Sequence, residues 1–362
     1  MGLLDNLFNT APQVVETVDA ALSPVNTDTY GYVPIVSVSR ELAMTVPAVK
    51  RAMGIFTGTI GSLPIEQYNK ATGAHVVPPR SITQPDPRVP ASFVYAWLAH
   101  DIKLYSVGYA YVMSLYADGK IQDWTRVAPE RVTPQFNEYS TEIVGYLLDG
   151  NPVPNNGVGS VQAFYGLEDG LLTCGARTIR AAIALEEAAK SFAEYPTPQM
   201  VLKSTGTNLT KERITKLLDG WNANRYKKNA TGFLNADVDL KEVGLDPARM
   251  QLNDARQYVA LEISRLAGIP AFFLSAEPNS MTYSNAINER KALVDFGLRS
   301  VMTAIEQRLS MPDFSSSLVE TRFDLDDFLR GNPLERAQVY EILNRIGAMS
   351  VEQIQQEEDL IR

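Results

Sequence analysis

Cysteine is almost missing from this 362-residue chain: Cys174 stands alone, so no disulfide can form within one copy. Small residues flank it and no histidine or other base stands near it in sequence, so it reads as a space-filling side chain rather than a nucleophile. Histidine is scarce too, with only His75 and His100. Zinc sites and histidine-driven nucleophilic catalysis both draw on that residue, and both are starved here. No apolar run of about 18 residues occurs, which removes a membrane-spanning helix from the expectations. The start Met1-Gly2-Leu3-Leu4-Asp5-Asn6 lacks a basic region followed by a long apolar stretch, and Asn6 breaks the myristoylation pattern. The chain is expected to stay in the cytoplasm where it is made.

Positive charge is also in deficit, with 33 basic against 42 acidic residues and a net charge of −9. Tight, sequence-independent DNA binding needs a cationic excess to displace counterions, so this is not a DNA-gripping protein. An acidic wall past which DNA must slide would be built this way, and so would a surface selected only for solubility. Charge leaves both readings open.

Enzyme signatures are missing as well. There is no Gly-x-x-x-x-Gly-Lys-[Ser/Thr] nucleotide loop, no Gly-x-Ser-x-Gly and no His-Glu-x-x-His. Asp324, Asp326 and Asp327 could suggest a divalent-metal nuclease cluster. Asp324 and Asp326 alternate with Phe323 and Leu325, however, which places them on the wet face of a strand or edge. No catalytic residue, metal site or cofactor is expected.

What is present is an ordinary folding composition, 45% hydrophobic and 21% charged, in a chain long enough for two or more substructures. Leu42, Val46, Val49, Met53, Phe56 and Ile60 recur at threes and fours, predicting one helix of about five turns. Ile65–Lys70 alternates like a strand before an Ala71-Thr72-Gly73 turn, and the five prolines from Pro78 to Pro90 predict a rigid surface loop. Ser92 is placed as the cap of a second helix carrying Phe93, Trp97 and Leu104. Gly108 to Trp124 reads as a hairpin turning at Asp118-Gly119, with further strands near Val132, Val144–Leu148 and Val161–Tyr165. The first part is therefore α+β.

Leu171 to Tyr195 is an alanine-rich helix ended by Pro196 and Pro198, with small residues on several faces. Such a helix can be an ordinary core helix or can pack on copies of itself. Strands at 199–203, 232–234 and 238–243 and a helix from Leu209 then predict a small α/β insertion. Its segment 201–230 is the one clearly basic stretch, with Lys203, Lys211, Arg213, Lys216, Arg225, Lys227 and Lys228 against Glu212 and Asp219. A solvated face is the plain explanation of so short a run. Helices from Asp254 and from Asn285 follow, separated by an apolar, proline-broken loop with Phe272, Phe273, Met281 and Tyr283.

Several of these segments carry a resemblance. Arg51-Ala52 through Ser62-Leu63-Pro64-Ile65, Gly108-Tyr109-Ala110-Tyr111, Val127-Ala128-Pro129-Glu130-Arg131-Val132, Ile263-Ser264-Arg265-Leu266-Ala267-Gly268-Ile269-Pro270, Tyr283-Ser284-Asn285 and Phe323-Asp324-Leu325-Asp326 appear in that order across about 300 residues. Together they resemble the portal family of tailed phages, of the lambdoid and related siphophage type. Near the end Gly347 and Glu352 keep that family's pattern, whereas its Asn and Arg are replaced within Ala348–Gln353.

The resemblance implies a non-enzymatic ring of about twelve subunits at one capsid vertex, a channel for genome packaging and ejection. It implies a portal fold with a wing over 1–165, a first stem helix over 166–198, an α/β clip over 199–250 and a second stem helix over 251–270. A tunnel loop over 271–285, a wing helix and strand over 286–332 and a short helical crown over 333–362 would complete it. Tunnel-loop residues would be Phe272, Phe273, Glu277, Met281 and Tyr283; partner-facing clip cations Lys203, Lys211, Lys216, Arg225, Lys227 and Lys228; stem cations Arg177, Arg180, Lys190 and Arg256. Implied partners are further copies of the chain, the major capsid protein, the large terminase, a head–tail adaptor and non-specific double-stranded DNA, with no membrane. The implied place is the virion's portal vertex after assembly in the host cytoplasm. A head–tail adaptor or other ring component is the alternative within structural proteins.

Overall fold

The computed structural model describes residues 38–139, 142–194, 200–204, 210–225, 238–242, 251–274, 283–329 and 333–358. The first part runs α1 (Arg40–Ala43), α2 (Pro47–Ser62), β1 (Ile65–Asn69), β2 (His75–Val76), α3 (Arg80–Thr83), α4 (Ala91–Tyr105), β3 (Val107–Leu115), β4 (Ile121–Val127), β5 (Val132–Phe136), β6 (Ile143–Leu148), β7 (Asn151–Pro152) and β8 (Val161–Tyr165). Then come α5 (Leu171–Cys174), α6 (Ala176–Glu194), β9 (Met200–Ser204), α7 (Lys211–Arg225), β10 (Val238–Glu242) and α8 (Leu252–Ala267). The last part holds α9 (Tyr283–Ala292), α10 (Arg299–Leu309), β11 (Val319–Phe323), α11 (Asp326–Leu329), α12 (Pro333–Arg345) and α13 (Val351–Glu357).

Pro47 decides where the first long helix begins. It sits at the first helical position, where its missing N–H is no loss, and it holds Val46 in the extended region at ψ 117°. The five-turn helix expected from Leu42 onward is therefore two helices, and Leu42 on α1 stays 44% exposed. From Val46 on the apolar stripe is as expected, with Val49, Met53, Phe56 and Ile60 all buried.

Three more expectations need correction. The proline-rich 78–90 stretch is not a surface loop: Ser81, Ile82 and Asp86 are buried, the Trp124 indole N–H donates to the Ser81 carbonyl at 2.8 Å, and the Trp124 amide donates to Pro85. Ser92 does not cap α4, because Pro90 is the N-cap and no side chain bonds there. The helix expected from Leu171 breaks at Gly175, where a Cβ would meet the Leu171 carbonyl oxygen at 2.7 Å.

Among the described residues four small antiparallel sheets form, in the orders β11-β1-β2, β4-β3-β8, β5-β6-β7 and β10-β9. The outer edge of β11 is closed by side chains of α10 and its C-cap. Ser310 Oγ accepts from the Thr321 amide and Glu306 Oε1 from the Phe323 amide, both at 2.8 Å, which blocks pairing with another strand. Burial pushes the Glu306 carboxyl pKa up, partly offset by that amide.

Among the described residues two apolar clusters hold these elements together. Phe56, Leu98, Trp124, Phe164 and Phe314 centre one, joined by Leu298, Val301 and Ile305 of the last long helix. That helix is continuous through α9 and α10 because Leu293–Leu298 forms a π-helical turn between them. The second cluster joins Val49, Met53 and Tyr109 of the first part to Ile179 and Ala182 of α6 and Ile263 of α8. Fully burying one such Leu, Ile or Phe contributes about 1.5–3 kcal/mol, so the long helices are anchored rather than draped. Among the described residues, no helix is long and apolar enough to cross a membrane.

Candidate functional site

The two helices α6 and α8 are the structural centre of the expected stem, and one ion pair sets their register. Arg256 Nε and Nη2 donate to Glu186 Oε1 and Oε2 at 2.9 and 3.0 Å, a two-pronged bond between antiparallel helices. Both side chains are close to half exposed, so the pair contributes less than about 1 kcal/mol and specifies alignment more than stability. Beside it the helices leave an open apolar cleft of about 250 Å³, lined by Val46, Ala182, Leu185, Val259 and Ile263. Of the other expected stem cations, Lys190 pairs with Glu194 one turn on at 3.7 Å, and Arg177 and Arg180 lie on the exposed side of α6.

The end of α8 is built from its own sequence. Gly268 takes a left-handed conformation at φ 70°, the Ile269 amide reaches back to the Ser264 carbonyl at 3.1 Å, and Ser264 Oγ donates to the Ile269 carbonyl at 2.6 Å. This hydrogen-bonded stop throws Ala271–Leu274 into a single 3-10 turn. There Arg51 Nε of α2 donates to the Phe273 carbonyl at 3.2 Å, while Phe272 stands exposed against the Phe273 ring. Arg51, Gly54, Gly58, Phe273, Arg290 and Phe328 line a shallow depression of about 420 Å³ there. Tyr283 begins α9, whereas Glu277 and Met281 lie outside the described residues.

Between α6 and α8 in sequence, β9 and β10 pair antiparallel with Lys203 opposite Asp239, and α7 lies between them in chain order. Lys203, Lys211 and Lys216 are exposed, Arg225 ends α7, and Lys227 and Lys228 lie outside the described residues, as does the strand expected at 232–234.

Sequence reasoning missed two polar hubs among the described residues, one buried and one half-buried. Asp101, fully buried on α4, accepts a two-pronged bond from Arg126 of β4, and the Arg126 and Arg40 guanidinium groups lie over the Trp97 ring at 5.1 and 5.2 Å. His100, with its Nδ1 3.6 Å from Asp101, packs on the same indole. Arg308 on α10 holds Asp313, the Ala163 carbonyl and Gln162 together and lies over the Phe314 ring. Both hubs join residues far apart in sequence, so periodicity gave no sign of them.

Asp324 and Asp326 of the acidic run fall at the start of α11. Asp324 lies just past the end of β11, and its Oδ1 accepts the Asp326 amide at 2.8 Å to start α11. Among the described residues no group of three or more acidic, histidine or cysteine side chains could hold a metal ion. Burial pushes the Cys174 thiol up, away from the reactive thiolate.

A model of the family described as phage portal protein matches residues 47–359. The chain belongs to that family. Portal proteins are structural rather than enzymatic. A probable portal protein of Streptomyces phage phiC31 is 27% identical over 178 residues, which take in 47% of this chain and only 39% of that relative's length. An HK97-family phage portal protein from Corynebacterium diphtheriae superimposes with a TM-score of 0.65 at 23% identity, covering 84% of this chain and all of the other. A chain from the neck of an empty gene transfer agent particle gives 0.59 at 17% identity, over 89% of this chain and 94% of its own. These likenesses fix the portal fold.

Proposed function

We propose that about twelve copies of this chain close into a ring at one capsid vertex, through which double-stranded DNA enters during packaging and leaves at ejection. In this reading α6 and α8 form the stem around the channel. The β9–α7–β10 excursion is the clip that meets the large terminase and later the head–tail adaptor. Residues 1–165 with 286–332 form the wing, 271–285 the tunnel loop toward DNA, and 333–362 a short crown. The major capsid protein surrounds the assembled ring.

The observation that carries the reading is the α6–α8 pair, two antiparallel helices bridged by Arg256 and Glu186 and rooted in the core through Ile179 and Ile263. A small basic α/β excursion leaves from one end of that pair and returns to it. The net charge of −9 is compatible with a channel past which DNA slides, and the cations concentrate in the excursion. Such a ring does no covalent chemistry; its work is geometric, since heterologous faces close by rotation.

The deciding experiment is the mass of the purified full chain by light scattering, with negative-stain images of the same sample, alone and co-expressed with the capsid protein. Closed rings of roughly twelve subunits with a central hole are expected. A chain that stays monomeric or dimeric under both conditions overturns the reading.

A further inference from the structure

Where the turn between α1 and α2 meets the α6–α8 pair, the apolar packing is incomplete. Val46, Ala48, Ala182, Leu185, Val259 and Ala260 line the open cleft of about 250 Å³ there, and four of them, Ala48, Leu185, Val259 and Ala260, are only half-buried. The charged residues at its rim, Glu186 and Arg256, are bonded to each other, so nothing in the cleft calls for a polar ligand. It is also smaller than the roughly 300 Å³ at which small-molecule pockets begin. What fits is a row of apolar side chains.

The chain itself supplies that row. Residues 1–37 lie outside the described part, and the chain enters it at Val38, which is buried in the same apolar cluster as Val46, Ala182 and Ile263. Ser39 fixes the entry, its Oγ accepting the Leu42 amide at 3.2 Å to cap α1. Ahead of this point Val14, Val15, Val18, Ala21 and Leu22 recur at helical spacing and share one face, between Pro12 and Pro24. Glu16 and Asp19 fall on the opposite face. The sixteen residues from Ser23 to Val38 reach at most about 50 Å when extended, more than the length of α6 or of α8.

We propose that residues 14–22 lie as a helix along the cleft of their own copy, with Val14, Val18 and Leu22 turned into it and Glu16 and Asp19 turned to solvent. The tether at Val38 holds the segment at high local concentration beside this cleft, which favours it over the same segment of another copy. The alanines at 48, 182 and 260 let branched side chains approach closely. Docked in this way, the segment ties the root of the α6–α8 pair to the first part of the chain and covers its half-buried lining. The contact is made within one chain, so it stands or falls apart from ring closure.

Paired cysteines in the full chain test it, in a Cys174→Ser background with circular dichroism as the check on folding. Val18→Cys with Ala260→Cys is expected to be joined within one chain by a short bismaleimide, as read by peptide mass mapping, whereas Phe8→Cys with Ala260→Cys is not. In the otherwise native chain, Val18→Asp is expected to speed amide exchange several-fold over residues 182–186 and 259–263 and to leave β3 unchanged. Wild-type exchange in Val18→Asp, or no link between positions 18 and 260, overturns the proposal. A link that joins two chains, seen as a covalent dimer, overturns it in favour of a second copy as the occupant. Linkage from position 8 instead of 18 overturns it in favour of the Leu3–Phe8 stretch.

Discussion

The carbonyl oxygen of Gly268, where α8 ends, lies 2.8 Å from the point at which a Cβ on Gly297 would stand. In return, a Cβ on Gly268 would come 3.0 Å from the Phe296 carbonyl oxygen. The π-helical turn around Phe296 and the left-handed stop of α8 thus touch backbone to backbone, joining the expected stem to the expected wing helix. Gly297→Ala is expected to destabilise the fold by about 1–3 kcal/mol through this crowding. Gly268→Ala should cost at least as much, since its φ of 70° adds about 1–2 kcal/mol for any L side chain. Urea denaturation of the two variants checks this, and wild-type stability in Gly297→Ala would sink it.

Arg308 matters through the shape of its side chain more than its charge. Its nitrogens reach Asp313 at 2.7 and 2.8 Å, Gln162 at 2.9 Å and the Ala163 carbonyl at 3.1 Å. Arg308→Lys keeps the charge and loses the fork, so a loss of about 1–3 kcal/mol is expected. Combined with Asp313→Asn, the loss should fall short of the sum of the single losses, because both changes break one network. Additive losses would show that the two residues act separately.

Asp86 should make stability depend on acid. Its buried carboxylate accepts from Arg88 Nε, Nη2 and backbone N–H at 2.8 to 2.9 Å, and these bonds hold its pKa well below the usual carboxylate value. A group depressed on folding stabilises the native state above its unfolded pKa of about 3.9, and that contribution is lost as pH falls toward the folded value. Melting temperatures taken from neutral pH downward should therefore fall less steeply below about pH 4 in Asp86→Asn than in the wild type. At neutral pH the variant should already melt lower. Parallel pH profiles would remove Asp86 from the account.

The C-terminal hairpin tests a local device. Ser350 Oγ accepts the Gln353 amide at 3.2 Å while Gln353 Oε1 accepts the Ser350 amide at 2.8 Å, a reciprocal cap on α13. Ser350→Ala should cost about 1 kcal/mol and appear as faster amide exchange confined to α13. Faster exchange throughout the chain would show instead that the hairpin is coupled to the core.

What the sequence made legible was local and periodic. Val49, Met53, Phe56 and Ile60 announce a buried face, Asp118-Gly119 announces a turn, and Val294, Leu298, Val301, Ile305 and Leu309 are all buried as their spacing requires. Errors came where backbone chemistry outweighed side-chain period, as at Pro47 and Gly175, and where a polar residue looked like a cap that Pro90 had already displaced. The proline-rich 78–90 stretch misled for another reason: its buried carbonyls find donors on Trp124, which no local pattern reveals. Site residues divided in the same way. Arg256 proved to be half of a pair with Glu186, 70 positions away, and nothing in the spacing of either helix could foretell that partner.

The basic excursion gives the last prediction. In a chain with a net charge of −9, the segment 201–230 carries seven basic residues against two acidic ones. Exposed Lys203, Lys211 and Lys216 already place part of that charge in solvent. If the excursion is the clip, its cations are available to an acidic motor or adaptor surface or to passing phosphate. Reversing Lys227 and Lys228 to Glu should then leave ring mass unchanged and lower the DNA packaged per head, with a deficit against the wild type that shrinks as added salt screens the charges. Rings that assemble and package at the wild-type level would confine these lysines to solubility. Failure of the rings themselves would place the segment within the subunit interface instead of the motor-facing end.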